Sequence, residues 1–314
     1  MSANTQFGPD PWDPGLPGSV PSSAFEDLIH DLTGRLAAEI GLPLPSVSEG
    51  PDEWFHSAEA GKLKEEIVAV GRKLWAREYV DGAGGNISVK LGPDYVLCTP
   101  TMLSKGDLTP DDICMTDLEG NLLRGHRSRT SELLLHLAIY KATPRAAAVV
   151  HCHPPYATAW SLTGSGPPAG YLVEQEIFVG RVPLARYETP GTAEFAATVL
   201  PFVDDCNSVL LSNHGIVCWA ATITQAEWMV EIVETYCHTL QIASQLGAPI
   251  CRISPEKMMD LEVLKRRLAA SQSAIGDRSR GASVESPSEL RGSTDLESIV
   301  RKVLNGFADR IRFL

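Results

Sequence analysis

The stretch His151-Cys152-His153, which closes the apolar run Ala146 to Val150 and is followed by Pro154-Pro155, constrains this chain more than any other. An unbroken row of small and β-branched residues reads as a buried strand. Side chains alternate faces along a strand, so the two imidazoles leave its end side by side. Cys152 turns to the opposite face, and the prolines stop the strand. A third imidazole stands in a similar setting, Val209-Leu210-Leu211-Ser212-Asn213-His214-Gly215. Three neutral nitrogen donors with a fourth position open make a catalytic zinc site. A bare His-x-His is more often a pair of satisfied polar groups at a strand end. Here the wider pattern of the chain favours the metal.

A chain of 314 residues, 44% of them hydrophobic, has room for one large domain or two ordinary ones. No apolar stretch approaches membrane-spanning length. Residues Met1 to Val20 lack a basic n-region and an apolar h-region, so no signal peptide is expected. A net charge of −12 argues against nucleic-acid backbones as partners. It leaves anionic sugar phosphates open, since a small site can be locally positive. The seven cysteines are dispersed and form no C-x-x-C pair, which reads as reduced thiols filling the core of a cytoplasmic protein.

Taken in order, residues 1–20 are rich in Pro and Gly and are expected to be disordered. Ser23-Ala24-Phe25-Glu26 offers a capping box to an amphipathic helix over Phe25 to Ile40. A breaker-rich linker, Leu42 to Asp52, ends this first segment, 1–53. The main body, 54–270, opens with a helix over Lys62 to Tyr79. The glycine turn Gly82-Ala83-Gly84-Gly85 then runs into a strand, Ile87 to Leu91. Further strands are expected at Tyr95–Thr99, Ile113–Asp117 and near Val182–Ala185, with a hairpin turn at Leu118–Asn121. Helices are expected from Thr130 through Lys141, from Thr192 to Phe202, and from Thr224 to Leu246. Strands and helices interleave without a regular βαβ repeat. That pattern predicts an α/β fold, a single layered α/β/α domain with a mixed or antiparallel central sheet. A Ser/Gly/Arg-rich linker, 271–293, follows. The chain closes on an amphipathic helix, 294–314, whose apolar positions Leu296, Ile299, Val300, Val303, Leu304, Phe307 and Ile311 need a partner.

The ordered elements Gly85-Asn86-Ile87-Ser88, Thr99-Pro100-Thr101, Thr130-Ser131-Glu132, His151-x-His153, Thr189-Pro190-Gly191 and Asn213-His214-Gly215 resemble the class II aldolase/adducin-head family. The likeness is strongest to its zinc-dependent L-fuculose-1-phosphate aldolase branch and covers roughly Trp54 to Leu246. It implies one Zn²⁺ per subunit on His151, His153 and His214. It implies phosphate contacts from Asn86, Thr130 and Ser131, with help from the loop Thr99 to Met102, where Thr101 is the candidate. Glycines before Asn86 and free N–H groups at the Thr130 helix start suit an anion physically, although a plain turn and plain N-capping explain the same residues. The family usually has Thr-Pro-Ser-Gly where this chain has Thr99-Pro100-Thr101-Met102. Met102 removes backbone freedom from that loop.

The resemblance makes Glu132 the acid/base. Glu at this place leans towards aldolase or dehydratase chemistry, whereas the related epimerases tend to carry Asp. The implied reaction is retro-aldol cleavage, with a Lewis acid rather than a Schiff base stabilising negative charge on the substrate oxygens. The family implies a cyclic tetramer and a second proton donor, a tyrosine from a neighbouring subunit; Tyr171, Tyr187 and Tyr236 are candidates. His30, His56, His126, His136 and His238 read as structural or solvent-exposed.

The resemblance implies cleavage of L-fuculose 1-phosphate, and of the related L-rhamnulose 1-phosphate, to dihydroxyacetone phosphate and lactaldehyde. The alternative enzymes are methylthioribulose-1-phosphate dehydratase or another sugar-phosphate lyase or epimerase. An adducin-like, non-enzymatic interaction module predicts lost metal ligands, and all three are present. The C-terminal linker and helix resemble encapsulation peptides, which would make a microcompartment shell protein a partner. The competing reading is a helix docked on the enzyme itself.

Overall fold

The computed structural model describes residues 50–280. The expected helices at Phe25–Ile40 and 294–314 lie outside the described residues. A short helix, α1 (Pro51–His56), and a long one, α2 (Ala58–Ala76), come first, followed by four strands: β1 (Asn86–Leu91), β2 (Tyr95–Cys98), β3 (Cys114–Asp117) and β4 (Leu122–Arg124). Then come α3 (Leu133–Ala142), β5 (Ala148–Cys152), α4 (Pro155–Ser161), β6 (Leu184–Ala185), α5 (Ala193–Ala197), β7 (Ser208–Leu211) and β8 (Gly215–Ala220). Helices α6 (Ile223–Gln245) and α7 (Pro255–Arg280) close the described chain.

The strands form one sheet in the order β4-β3-β2-β1-β5-β8-β7-β6. Every pair is antiparallel except β6 with β7, so the sheet is mixed, as expected. Alternation along the strands divides the core in two. Ile87, Val89, Ala148, Val150, Cys152, Ile216 and Cys218 face α2, α4 and α6, packing with Ile67, Leu74, Ala157, Val230 and Val233. Val96, Val149, Val209, Val217 and Trp219 face the other way, against Leu133, Leu137 and Ile139 of α3 and Phe195 of α5. The result is the expected α/β/α layering. Each fully buried aliphatic side chain contributes roughly 1.5–3 kcal/mol, so two such faces hold the sheet firmly. The edges are kept short at β4 and β6, which limits pairing with other chains. At the β4 edge, Arg124 pairs with Asp52 and fastens α1.

Three expectations change in detail. The expected helix Thr192–Phe202 breaks after α5 and resumes as a tight turn, Leu200–Phe202, because Pro201 has no N–H to continue it. The His214 strand is two strands, β7 and β8, with His214 in the turn between them. Helix α7 runs through Arg280, past the linker boundary expected at 271. The seven cysteines are all free, and all but Cys251 are buried, as core filler should be.

Candidate active site

The site lies where β1, β5 and the β7–β8 turn meet. Register places Asn86 of β1 directly opposite His151 of β5, and β5 also pairs with β8. His151 ends the strand on the α3 face, while Ala148, Val150 and Cys152 take the other, so the alternation expected from sequence holds. His153 follows just beyond the strand, its N–H donating to the carbonyl of Tyr79. His214 sits in the β7–β8 turn, where Asn213 takes a left-handed backbone (φ +58°), a conformation asparagine tolerates better than most residues. Gly215 is required there. A Cβ at this position would lie 2.5 Å from the carbonyl oxygen of Cys152 and 2.7 Å from the His153 ring.

The three imidazoles converge. Their ring centroids are 4.7–5.0 Å apart, and one nitrogen from each lies within 4.8 Å of the others. His151 is fully buried, and its Nδ1 is 2.9 Å from the carbonyl oxygen of Ile216. A carbonyl only accepts, so Nδ1 carries the proton and Nε2 presents a bare lone pair. That lone pair faces His153 Nε2 at 3.1 Å. On the far side of the His153 ring, Nδ1 lies 3.4 Å from an Asp81 carboxylate oxygen, which likewise favours the proton on Nδ1. Two bare nitrogens turned on each other repel unless a cation lies between them, so this donor set fits a divalent metal. Burial, reinforced by the neighbouring imidazoles, pushes His151 well below its usual range and His214 down to about 4. Both rings are therefore neutral at pH 7, the state in which an imidazole can ligate a metal.

Glu132 completes the cluster. It stands at the N-terminal cap of α3, with its carboxylate 3.2 Å from His151 Nε2 and 3.5 Å from His214 Nε2. Burial raises its pKa, opposed by a hydrogen bond from Asn86 Nδ2 (2.7 Å) and by His153. A carboxylate held at the edge of a metal pocket with a raised pKa is suited to moving a proton in either direction.

Residues 65–241 match the model of the class II aldolase and adducin N-terminal domain, more than half of the chain. The chain belongs to this family. It is 38% identical over 181 residues to an L-fuculose phosphate aldolase of Methanococcus maripaludis, a match covering 58% of this chain and 97% of the relative. It is 34% identical over 206 residues to a 3-oxo-tetronate 4-phosphate decarboxylase of Haemophilus influenzae, covering 63% and 95%. A solved L-fuculose 1-phosphate aldolase superimposes with a TM-score of 0.59 at 27% identity, covering 65% of this chain and 95% of that one. With the family model matched and curated aldolases among its relatives, the protein is an enzyme of the class II aldolase type.

In this class II aldolase the segments expected to hold phosphate are drawn together. Thr101 N–H donates to the Ser128 carbonyl and Thr130 N–H to the Thr99 carbonyl, so the two loops run side by side. Thr130 is buried, with Oγ1 3.4 Å from the Glu132 amide, while Ser131 is exposed. Met102 does not abolish the loop's turn. It holds φ +57°, the left-handed conformation a glycine would take, and leaves its side chain 83% exposed. Among the tyrosines, Tyr236 is buried and its hydroxyl donates to the carbonyl of Pro168, so it has no freedom to reach a neighbouring subunit. Tyr187 is 58% exposed and Tyr171 half-buried.

Two features escaped the sequence reading. Lys105 is fully buried and donates to the carbonyls of Ala83 and Leu103, tying the glycine loop to the loop after Met102; burial lowers its pKa to about 8. His136, read from sequence as structural or exposed, is fully buried and bonded to Asn86 and Ser88. The available signal was spacing. Glu132, His136 and Tyr140 are four apart on one helix, and Asn86 and Ser88 are two apart on one strand.

Proposed function

We propose that this enzyme cleaves a ketose 1-phosphate, L-fuculose 1-phosphate or the related L-rhamnulose 1-phosphate, to dihydroxyacetone phosphate and lactaldehyde. The observation that carries the reading is the closure of three imidazoles and one carboxylate on a single point. His151, His153 and His214 would hold one Zn²⁺ per subunit, which would supply Lewis acidity to the substrate. Asn86, Thr101, Thr130 and Ser131 bind the phosphate, which fixes the carbon skeleton against Glu132. The C3–C4 bond breaks as the C4 hydroxyl passes its proton, through a neighbouring-subunit tyrosine, to solvent, and the electron pair passes to C3. Glu132 delivers a proton to C3, and its raised pKa makes the protonated form accessible. A tyrosine of a neighbouring subunit in a tetramer, for which exposed Tyr187 is better placed than Tyr236, serves the oxygen of the departing aldehyde.

The decarboxylase relative supports a second reading, release of carbon dioxide from a phosphorylated 3-oxo acid. Both reactions leave an electron pair on carbon next to a carbonyl, so the same site serves either. A panel of L-fuculose 1-phosphate, L-rhamnulose 1-phosphate, methylthioribulose 1-phosphate and a 3-oxo-tetronate 4-phosphate decides. Release of lactaldehyde together with dihydroxyacetone phosphate supports the aldolase reading; carbon dioxide release or loss of water without lactaldehyde overturns it. Glu132→Gln should retain metal and lose about 10²–10⁴-fold in turnover. Unchanged turnover would remove Glu132 from the mechanism. The spacing of apolar residues in 294–314 supports an encapsulation peptide that places the enzyme in a bacterial microcompartment. Deleting 293–314 should then abolish co-purification with shell protein and leave turnover intact.

A further inference from the structure

We propose that Tyr140, Ser88, His136 and Asn86 form a one-way chain of hydrogen bonds that orients the Glu132 carboxylate, making His136 a positioning residue for the reaction. This rests on Glu132 being the acid/base.

The chain occupies the interface between α3 and β1. Glu132, His136 and Tyr140 recur every fourth residue at the start and along α3, and so share one helical face. Asn86 and Ser88 share the face of β1 turned towards them. The contacts are continuous. Tyr140 Oη is 2.7 Å from Ser88 Oγ, and Ser88 Oγ is 2.7 Å from His136 Nδ1. His136 Nε2 is 2.6 Å from Asn86 Oδ1, and Asn86 Nδ2 is 2.7 Å from the Glu132 carboxylate. Each member is buried, His136 and Ser88 completely.

The orientation of one amide fixes the direction of every bond: Asn86 meets the Glu132 carboxylate with Nδ2–H and turns Oδ1 to His136. That oxygen only accepts, so His136 Nε2 carries the proton. Nδ1 then holds a lone pair, so Ser88 donates to it. Ser88 has spent its proton, so Tyr140 donates to Ser88. No member can rotate or change tautomer without leaving a buried polar atom unpaired. Burial, which holds His136 down to about 3, keeps the ring neutral as the chain requires. A purely structural filler needs none of this. Apolar side chains would pack the same interface without polar groups, as they do at neighbouring Leu133, Leu137 and Ile139. The second N–H of Asn86 is left for a substrate oxygen, so one amide connects substrate, carboxylate and the anchored chain.

The direction is read on the unmodified, metal-loaded enzyme by nitrogen NMR of ¹⁵N-histidine, with His136 assigned by its loss in His136→Gln. The expected result at pH 7 is a neutral ring protonated on Nε2. A ring protonated on Nδ1, or on both nitrogens, overturns the chain. The consequence for chemistry is read as kcat and KM for L-fuculose 1-phosphate with metal content measured alongside. His136→Gln should lose at least tenfold in kcat and Ser88→Ala at least threefold, with Tyr140→Phe milder than either. KM should change by less than kcat, and metal content should stay unchanged. Ser88→Thr, which keeps the hydroxyl, should recover most of the kcat lost in Ser88→Ala. Unchanged kcat in His136→Gln, or a rise in KM alone, overturns the positioning role. If instead Glu132→Gln keeps full turnover, the acid/base assignment falls, while the ring tautomer still reports on the chain by itself.

Discussion

His136 carries a stability signature as well as a positioning role. Its pKa is about 3 when folded, against an ordinary value near 6.5 when the chain is unfolded. Above pH 6.5 both states are neutral and folding loses nothing. As pH falls from 6.5 towards 3, the unfolded chain takes up a proton that the folded chain refuses, so stability falls. The slope approaches about 1.4 kcal/mol per pH unit for each such group. His151 and His214 act in the same direction. His136→Gln should therefore flatten the loss of stability between pH 6.5 and 4.5, measured as urea midpoints at equal metal loading. An equal slope in variant and parent would contradict a neutral buried ring. At this scale the sequence exposed the ligands and hid their support. His151 and His153 stand out because a strand end and two prolines frame them. Glu132 follows from its place in Thr130-Ser131-Glu132. His136, Ser88 and Tyr140 look like ordinary helix and strand residues until α3 is known to lie on β1. Only then do the spacings of four and two coincide.

Among the elements, the β7–β8 hairpin does most to assemble the site, because its turn delivers the third imidazole. Gly215→Ala would drive a methyl into the Cys152 carbonyl and the His153 ring. The hairpin must then shift away from β5, and the expected outcome is loss of bound metal with the fold retained, read by metal analysis and circular dichroism. Full metal content would show that the turn has slack. The loop after β2 gives the opposite case. Met102 holds a left-handed backbone that costs a non-glycine residue roughly 1–2 kcal/mol, part of which glycine returns as chain entropy. Met102→Gly should stabilise the protein by about 0.5–1 kcal/mol in denaturant titration; destabilisation would mean that the exposed side chain makes a contact worth more than the strain. Helix α6 and strands β1, β2, β3 and β5 were legible within a residue or two, and α3 within three, from apolar spacing and glycine turns. The β7–β8 pair read as a single strand because Asn213-His214-Gly215 is too short to register as a break. Helix α7 was hidden by its polar composition beyond Ser271.

For the molecule as a whole, strand order does what sequence order does not. Placing β1, β5 and β8 side by side brings residues 86, 151 and 214 together across most of the domain. Layering was legible from the interleaving of strands and helices; strand order was not, since it depends on which edges pair at long range. A ligand set drawn from separate elements links metal binding to folding. With metal at a thousandfold its dissociation constant, the folded state gains about 4 kcal/mol, or roughly 8–16 °C in Tm for a domain of this size. Chelation should lower Tm by that order and added zinc should restore it; an unchanged Tm would separate the site from stability. The most direct measurement is the divalent metal content of the purified enzyme beside its His214→Ala variant. One ion per chain in the parent and its loss in the variant are the predicted results. A variant that keeps its full complement, or a catalytically active parent that contains no metal, would contradict the convergence of the three histidines on one ion.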